Sequence, residues 1–287
     1  MYKRQVEDNP RYTFHKGDAA DPTFVSAVFR QFEPDIVVNF VAESHVDRSI
    51  SSATPFVHSN VLGTQVILDA CLKHGTRLLQ VSTDEVYGSL GPDGAFTEES
   101  PIQPNNPYSA TKAAADMLCR AYHRTHGLDV VVTRCSNNYG PRQFPEKLIP
   151  LMIQKALAGE SLPVYGDGMH VRDWIYVDDH CRALLAVMRE GTAGEVYNVG
   201  GGNEIPNLRL VEKLLDRLKR PRELISHVAD RPGHDRRYAI DAGKLRRQLG
   251  WEPEVDFEHG LALTVDWYQR NRDWLAAIQE GSYQQGY

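Results

Sequence analysis

Long hydrophobic runs are missing from this sequence. The longest unbroken apolar stretch runs only from Ala183 to Met188, far short of the about 20 residues that a membrane-spanning helix needs. The opening Met1–Gln5 leads into charged residues without the apolar core of a secretory leader, so none is expected. Cysteine is scarce: Cys71, Cys119, Cys135 and Cys181 stand far apart, with no CxxC pair. Four reduced thiols in a cytoplasmic protein are the expectation. Positive charge is also short. There are 32 Lys+Arg against 38 Asp+Glu, a formal net charge of -6, the reverse of the balance expected on a phosphate backbone. No nucleic-acid partner and no membrane are expected, and an anionic small ligand would need a few local arginines. The 11 histidines show no HExxH or comparable spacing. The run Val177-Asp-Asp-His180 reads as a helix start with Asp178 as N-cap, so no metal is expected. Internal repeats and low-complexity segments are absent as well.

What remains is an ordinary globular balance. The 287 residues, 41% hydrophobic and 24% charged, suffice for one large domain or a main domain with a smaller second one. Asp35–Ala42 is nearly continuous in apolar residues, as a strand buried on both faces of a parallel sheet reads. Before it, Asp21 and Pro22 open a helix as N-cap and N1, and Pro34 stops it. Helices are predicted over Phe56–His74 and Tyr108–His126, closed by Gly75 and Gly127. Strands are predicted over Tyr12–Lys16, Arg77–Ser82 and Asp129–Arg134. This alternation predicts an α/β fold built on a Rossmann-like, doubly wound parallel sheet.

From about residue 143 the rhythm changes. Helices at Lys147–Leu157, Asp178–Arg189, Leu208–Leu218, Gly243–Leu249 (N-capped by Asp241) and Phe257–Trp274 mix with short strands at Pro163–Tyr165, Val171–Val177 and Val196–Val199. Residues 1–142 are therefore expected to form the sheet region. Residues 143–287 are expected to be mainly a small α+β ligand-binding cap, with some segments returning to the sheet and a polar tail at Gly281–Tyr287.

Two constellations carry chemistry. Tyr108-Ser-Ala-Thr-Lys112 puts a phenol and an ammonium at i, i+4 on one helix face. An ammonium beside a phenol favours the phenolate, which can exchange a proton with an alcohol near neutral pH. Alone this pattern is weak and fits a surface pair better. The second constellation is Thr83-Asp84-Glu85, directly after the strand Arg77–Ser82. Ligands of open α/β sheets sit at the carboxyl ends of strands, and two adjacent carboxylates there can be split into an acid and a base.

Six segments together resemble the extended short-chain dehydrogenase/reductase family that acts on nucleotide sugars. They are Val41-Ala-Glu-Ser-His-Val-Asp-Arg-Ser-Ile50, Val81-Ser-Thr-Asp-Glu-Val-Tyr-Gly88, Tyr108-Ser-Ala-Thr-Lys112, Arg134-Cys-Ser-Asn-Asn-Tyr-Gly-Pro141, Tyr165-Gly-Asp-Gly168 with Arg172-Asp-Trp174, and Arg231-Pro-Gly-His-Asp-Arg236. The Thr-Asp-Glu triplet points within that family to the branch that dehydrates dTDP-glucose, since the family's epimerases carry Ser-Ser/Thr there. The resemblance implies NAD as a bound cofactor, dTDP-glucose as substrate, a cytoplasmic homodimer and a place in deoxysugar biosynthesis such as the dTDP-rhamnose route. It implies a lyase mechanism in which Tyr108, assisted by Lys112, deprotonates the sugar 4-hydroxyl while hydride leaves C4. Thr83 binds the same oxygen, Glu85 takes the C5 proton, Asp84 protonates the departing 6-hydroxyl, and hydride returns to C6.

The same resemblance assigns Asp18, Val41, Ala42, Ser44, Asn60, Ser82, Tyr108 and Lys112 to the cofactor. It assigns Asn137, Lys147, Leu148, Pro163, Tyr165, Arg172, Asn207, Arg231 and His234 to the nucleotide sugar, with the two arginines on the diphosphate. One departure stands out. The family opens with a Gly-rich strand-turn-helix that holds the cofactor pyrophosphate, and this sequence has none. Gly88, Gly91 and Gly94 lie in a loop. The expectation is therefore an N-terminal truncation of roughly 50–60 residues, a sheet lacking its first βα unit, and a chain that as written binds NAD poorly and is inactive or unstable. The alternatives are another nucleotide-sugar dehydratase, epimerase or decarboxylase, or a non-catalytic nucleotide-sensing protein of the same fold.

Overall fold

A computed structural model describes residues 6–279; the polar tail expected at 281–287 lies outside them. Helix α1 (Pro22–Phe32) starts as the sequence indicates. The Asp21 side chain accepts the Thr23 N–H, and Pro22 occupies the first turn. Strand β1 (Ile36–Asn39) follows. A short helix α2 (Val46–Ser51), not anticipated, is capped by the His45 ring. Then α3 (Thr54–Phe56) runs through π-helical turns at Val57–Leu62 into α4 (Gly63–His74), which ends at left-handed Gly75. Strand β2 (Arg77–Thr83) passes into a 3-10 turn at Asp84–Tyr87. The long helix α5 (Pro107–His126) leads to β3 (Val130–Cys135).

The remainder supplies β4 (Asn137–Tyr139), α6 (Leu148–Ala158), β5 (Leu162–Tyr165), β6 (Val171–Tyr176), α7 (Val177–Glu190), β7 (Val196–Val199), β8 (Glu204–Pro206) and α8 (Asn207–Leu218). The chain closes with β9 (Ile225–Val228), α9 (Gly243–Leu249), α10 (Phe257–Arg270) and α11 (Arg272–Gln279). Strands β4, β8 and β9 are too short to announce themselves by periodicity.

The main sheet has the order β1-β2-β3-β7, all parallel. Its strands are nearly continuous in apolar residues because both faces are covered. One face packs on α1, α4 and α5 through Phe29, Leu68, Leu78, Cys119 and Val130. The other packs on α7 and α9 through Leu79, Val131, Ala183, Val187 and Leu245. A separate core, including Ile153, Trp174, Leu214 and Leu261, holds α6, α8 and α10 against β6. Beside this core lie the small sheets β4-β6-β8 and β5-β9. Thus β7, α7 and α9 return from the second half of the chain to the main sheet.

Four details differ from the sequence reading. Residues 12–17 form no strand. A strand needs a neighbour to take its N–H and C=O groups, and among the described residues no strand lies on the outer edge of β1. Asp178 is not an N-cap: Tyr176 holds that position and Asp178 sits in the first turn, where its charge still suits the helix dipole. Ala242 rather than Asp241 caps α9, although Asp241 accepts the Gly243 N–H. The last helix breaks at Asn271, giving α10 and α11. The four cysteines are free.

Candidate active site

The turns that leave the carboxyl ends of β1, β2 and β3 meet the second half of the chain at a cleft of about 510 Å³. All nine residues expected at the substrate line it: Asn137, Lys147, Leu148, Pro163, Tyr165, Arg172, Asn207, Arg231 and His234. Ser44 and Glu85 line it as well. Residues more than 180 positions apart in sequence are brought together here, as when the Arg231 guanidinium donates to the Asp47 carboxylate at 3.2 Å.

The catalytic end is built by two local stops. At the first, β2 ends at Thr83, whose side chain accepts the Glu85 N–H at 3.3 Å and so starts the 3-10 turn. Gly88 closes that turn at φ 84°, where a Cβ would come within 2.2 Å of the Gln103 carbonyl oxygen. At the second, Asn106 caps α5: its side chain accepts the Ser109 N–H at 2.9 Å, and the Ser109 hydroxyl answers the Asn106 N–H. Pro107 fixes the first helical residue. Tyr108 then stands at the helix entrance with its N–H donated to the Ser49 hydroxyl at 3.2 Å.

The adjacent carboxyls have unequal surroundings. Asp84 is buried, at 2% exposure. Its Oδ1 accepts from the Thr83 hydroxyl at 3.3 Å, while Oδ2 has no partner. Burial, then the charges of Glu85 and Asp173, push it well above the ordinary carboxylate range. Glu85 faces the cleft and accepts from the Asn106 amide at 3.5 Å. Burial raises it too, but Arg172, Arg231, Asn106 and Lys147 pull it back.

Tyr108 and Lys112 do not interact as the i, i+4 pattern suggests. The Lys112 ammonium is buried and donates to the Val81 carbonyl at 2.7 Å. Burial and then the charges of Glu85 and Cys135 raise the Tyr108 phenol well above 10, against a hydrogen bond to Thr83. Lys112 is itself lowered by burial. Burial thus disfavours the phenolate, and the phenol is hydrogen-bonded to Thr83.

The residues assigned to the cofactor divide into two sets. Ser82, Tyr108 and Lys112 sit at the end of β2, and the buried Ser82 hydroxyl has no partner. An orphaned hydroxyl beside a phenol and an ammonium fits the ribose end of a nicotinamide nucleotide. Val41, Ala42 and Ser44 lie on the loop after β1. The Val41 N–H goes to Asn39, and the Ser44 carbonyl accepts from Lys147 at 2.7 Å. Asn60 is fully buried and pins that loop, exchanging both hydrogen bonds with the Glu43 backbone and donating to Thr111. It therefore positions the loop. Asp18 is exposed and paired with His58 at 2.8 Å, which lowers its carboxyl. No Gly-rich turn leading into a helix occurs among the described residues, so the site fits the nicotinamide ribose but supplies no backbone cradle for the pyrophosphate.

At the far end, polar and aromatic groups shape a pocket for a flat base and an anion. Arg172 is buried, donates to the Val171 and Asp235 carbonyls, and stacks 4.4 Å over Tyr238. It is therefore no surface ion pair. Buried Arg231 Nε and Asn207 Oδ1 have no partner. Tyr165 meets His234 edge to face at 5.8 Å. His234 stacks on His170 at 3.7 Å with 12° between planes, and both rings reach Asp230. These three residues offer ligand atoms within 4.8 Å of one another. Parallel rings, however, aim their lone pairs side by side rather than at one point, and Arg172, Arg231 and Arg236 surround them. Of the three, His234 lines the cleft.

Asp47, His45, Glu146 and Tyr238 also line the cleft and were not anticipated. Asp47 and His45 lie inside a quoted family segment, which could have flagged them. Nothing in the local pattern marks Glu146 or Tyr238.

Comparison with known proteins agrees with this geometry. The family described as GDP-mannose 4,6 dehydratase matches residues 1–264. A dTDP-glucose 4,6-dehydratase of Xanthomonas campestris pv. campestris (strain B100) is 53% identical over 97% of this chain and 85% of its own length. Among solved structures, DesIV, a dTDP-glucose 4,6-dehydratase from Streptomyces venezuelae with NAD and TYD bound, superposes with a TM-score of 0.92 at 51% identity. That match covers 94% of this chain and 84% of DesIV. UDP-glucose 4-epimerase from Thermotoga maritima, with UDP-glucose, superposes at 0.87 with 30% identity over 92% of this chain and 86% of its own.

Proposed function

The chain belongs to the GDP-mannose 4,6 dehydratase family, and from that premise we propose how its residues divide the NAD-dependent dehydration of dTDP-glucose that it performs as a hydro-lyase. Residues 1–142 carry the cofactor side and the catalytic groups, and 143–287 mainly hold the nucleotide. Arg172 and Arg231 bind the diphosphate; as guanidiniums they can meet it with paired N–H donors. Tyr165 and His234 flank the base, and Asn137, Lys147 and Asn207 complete the polar contacts. When bound, NAD supplies the acceptor for hydride from C4 and returns it to C6. Ser82, Tyr108 and Lys112 hold its nicotinamide ribose.

Tyr108, as its phenolate, takes the 4-hydroxyl proton, with Thr83 bonded to the same oxygen. The 4-keto group then acidifies the C5 proton, which Glu85 removes. Asp84 gives its proton to the 6-hydroxyl, and water leaves; a proton then returns to C5 as C6 is reduced. One observation carries this reading: two adjacent carboxyls in unequal settings, both raised by burial, with Asp84 pushed further by Glu85 and Asp173, and Glu85, which lines the cleft, pulled back by Arg172, Arg231 and Lys147. That is the arrangement an acid and a base need. Incubation with dTDP-glucose is expected to give a 4-keto-6-deoxy product with alkaline absorbance, and UDP- or GDP-glucose far less. Equal turnover of all three would overturn the dTDP assignment.

The homodimer is proposed on the outer face of α5 and of the helical stretch 56–72, which joins the π-helical turns to α4. Leu62 and Met117 are 41% and 42% exposed there, beside half-buried Ala114. Met117→Glu is expected to turn a two-chain mass in light scattering into a one-chain mass. No helix among the described residues is long and apolar enough to cross a membrane; a cytoplasmic setting is proposed from the free cysteines.

A further inference from the structure

The reaction as proposed does not use Asp173, yet this carboxylate is buried at 1% exposure directly behind the catalytic turn. Its place follows from the sheet register. Thr83 pairs with Cys135, and Cys135 with Val199, so Asp84, Ser136 and Gly200 stand at one level across β2, β3 and β7. There the chain makes the turn Gly200-Gly201-Gly202-Asn203. That turn folds over Asp173: its Oδ2 accepts the Gly201 N–H at 3.1 Å, and its Oδ1 accepts the Asn203 N–H at 2.6 Å. The glycines are needed for this approach. A Cβ on Gly200 would lie 2.9 Å from Asp173 Oδ2, and one on Gly201 would lie 2.0 Å from the Trp174 carbonyl oxygen.

Two buried carboxyls that feel each other cannot both ionise easily. Their hydrogen bonds decide which one keeps a proton. Both oxygens of Asp173 receive backbone N–H donors, which favours its ionised form. Asp84 receives one long hydroxyl bond and has a free Oδ2.

We propose that Asp173 is a positioning residue for the elimination step: the Gly201–Asn203 turn holds it ionised, and its fixed charge keeps the proton on Asp84. The inference rests on the reading of Asp84 as the acid that releases water.

The other charged or titratable groups facing Asp84 are Glu85, Arg172, Tyr108 and Cys135. Glu85 adds to the effect and Arg172 opposes it. The Arg172 N–H groups that have protein partners go to backbone carbonyls, not to Asp84. Burial pushes Asp173 upward as well, and the turn N–H groups oppose that.

The test reads the proton directly and needs no turnover. Infrared difference spectra of the 287-residue chain against Asp84→Asn are expected to show a protonated carboxyl stretch at pH 7. In Asp173→Asn, which keeps the size and removes the charge, the midpoint of that band is expected about one unit lower, a tenfold shift in proton occupancy. With dTDP-glucose and saturating NAD added, kcat should fall more at pH 8 than at pH 6 while KM stays within about twofold. Asp173→Ser is the second variant if the amide does not fold. A wild-type chain without the band at pH 7 overturns the proposal whatever the variants do, and so does a midpoint that neither variant moves. If instead Asp84→Asn dehydrates dTDP-glucose at the wild-type rate, the acid assignment fails while the infrared result stands.

Discussion

Burial disfavours the Tyr108 phenolate, yet that is the form in which it takes the 4-hydroxyl proton. Tyr108→Phe is expected to lower kcat by about 10²–10⁴-fold, the usual worth of a placed acid–base group, with little change in KM. Glu85→Gln should stop exchange of the C5 proton with deuterated solvent while oxidation at C4 continues; exchange at the wild-type rate would remove Glu85 as the base. The Glu85 carboxyl is raised and must be ionised to act. The rate should therefore fall, as pH drops, at a value above the ordinary glutamate range.

His180 is a second pH-sensitive group, away from the chemistry. It is buried, donates its Nδ1–H to the Asn138 amide oxygen at 2.7 Å, and is lowered to about 4 by burial. The folded chain thus holds it neutral while the unfolded chain protonates it near 6.5. Its contribution is complete above about pH 6.5 and is lost as pH falls toward 4, on the order of 3 kcal/mol. Urea midpoints measured across that range should decline less steeply in His180→Gln. The residue types at these positions were legible in the sequence; their protonation was not, because it depends on burial and on neighbours from distant segments.

At the scale of elements, helix α5 does two tasks with one cap. Asn106 satisfies the helix end and also reaches Glu85. Asn106→Ala is expected to cost about 1 kcal/mol of stability and to lower kcat as well. Asn106→Asp should keep the cap but add charge beside Glu85, so urea unfolding stays near wild type while the acid limb of the rate moves to higher pH. The helices with strong stop signals were readable from sequence: Asp21-Pro22 before α1, Gly75 after α4, Gly127 after α5. Strands β4, β8 and β9 were not, since three or four residues carry no period and exist only because a neighbour offers a ladder. The segment at 12–16 shows the converse. It has the composition of a strand and forms none, because no partner strand lies beside it.

For the whole molecule, function depends on two cores meeting at one cleft. Arg231→Met removes a charge contributed from the second half of the chain. It is expected to raise KM for dTDP-glucose at least tenfold with a smaller change in kcat, measured by steady-state kinetics. On the cofactor side the described residues fit a nicotinamide ribose but offer no Gly-rich turn to the pyrophosphate. The purified 287-residue chain is therefore expected to lose NAD on desalting, which its absorbance ratio would show; stoichiometric retention would overturn that. The residues proposed around the nucleotide were named through the family resemblance. The sequence by itself determined the alternating α/β order, the parallel sheet and the Thr83-Asp84-Glu85 and Tyr108–Lys112 groups. These follow from hydrophobic period, caps and local spacing, which are properties of neighbouring residues. Only the tertiary structure decided that Lys112 turns to Val81, that Asp84 and Glu85 differ, and that Asp173 sits behind them under a glycine turn. Those depend on burial and on charges brought together across strands, and distance in sequence carries no record of them.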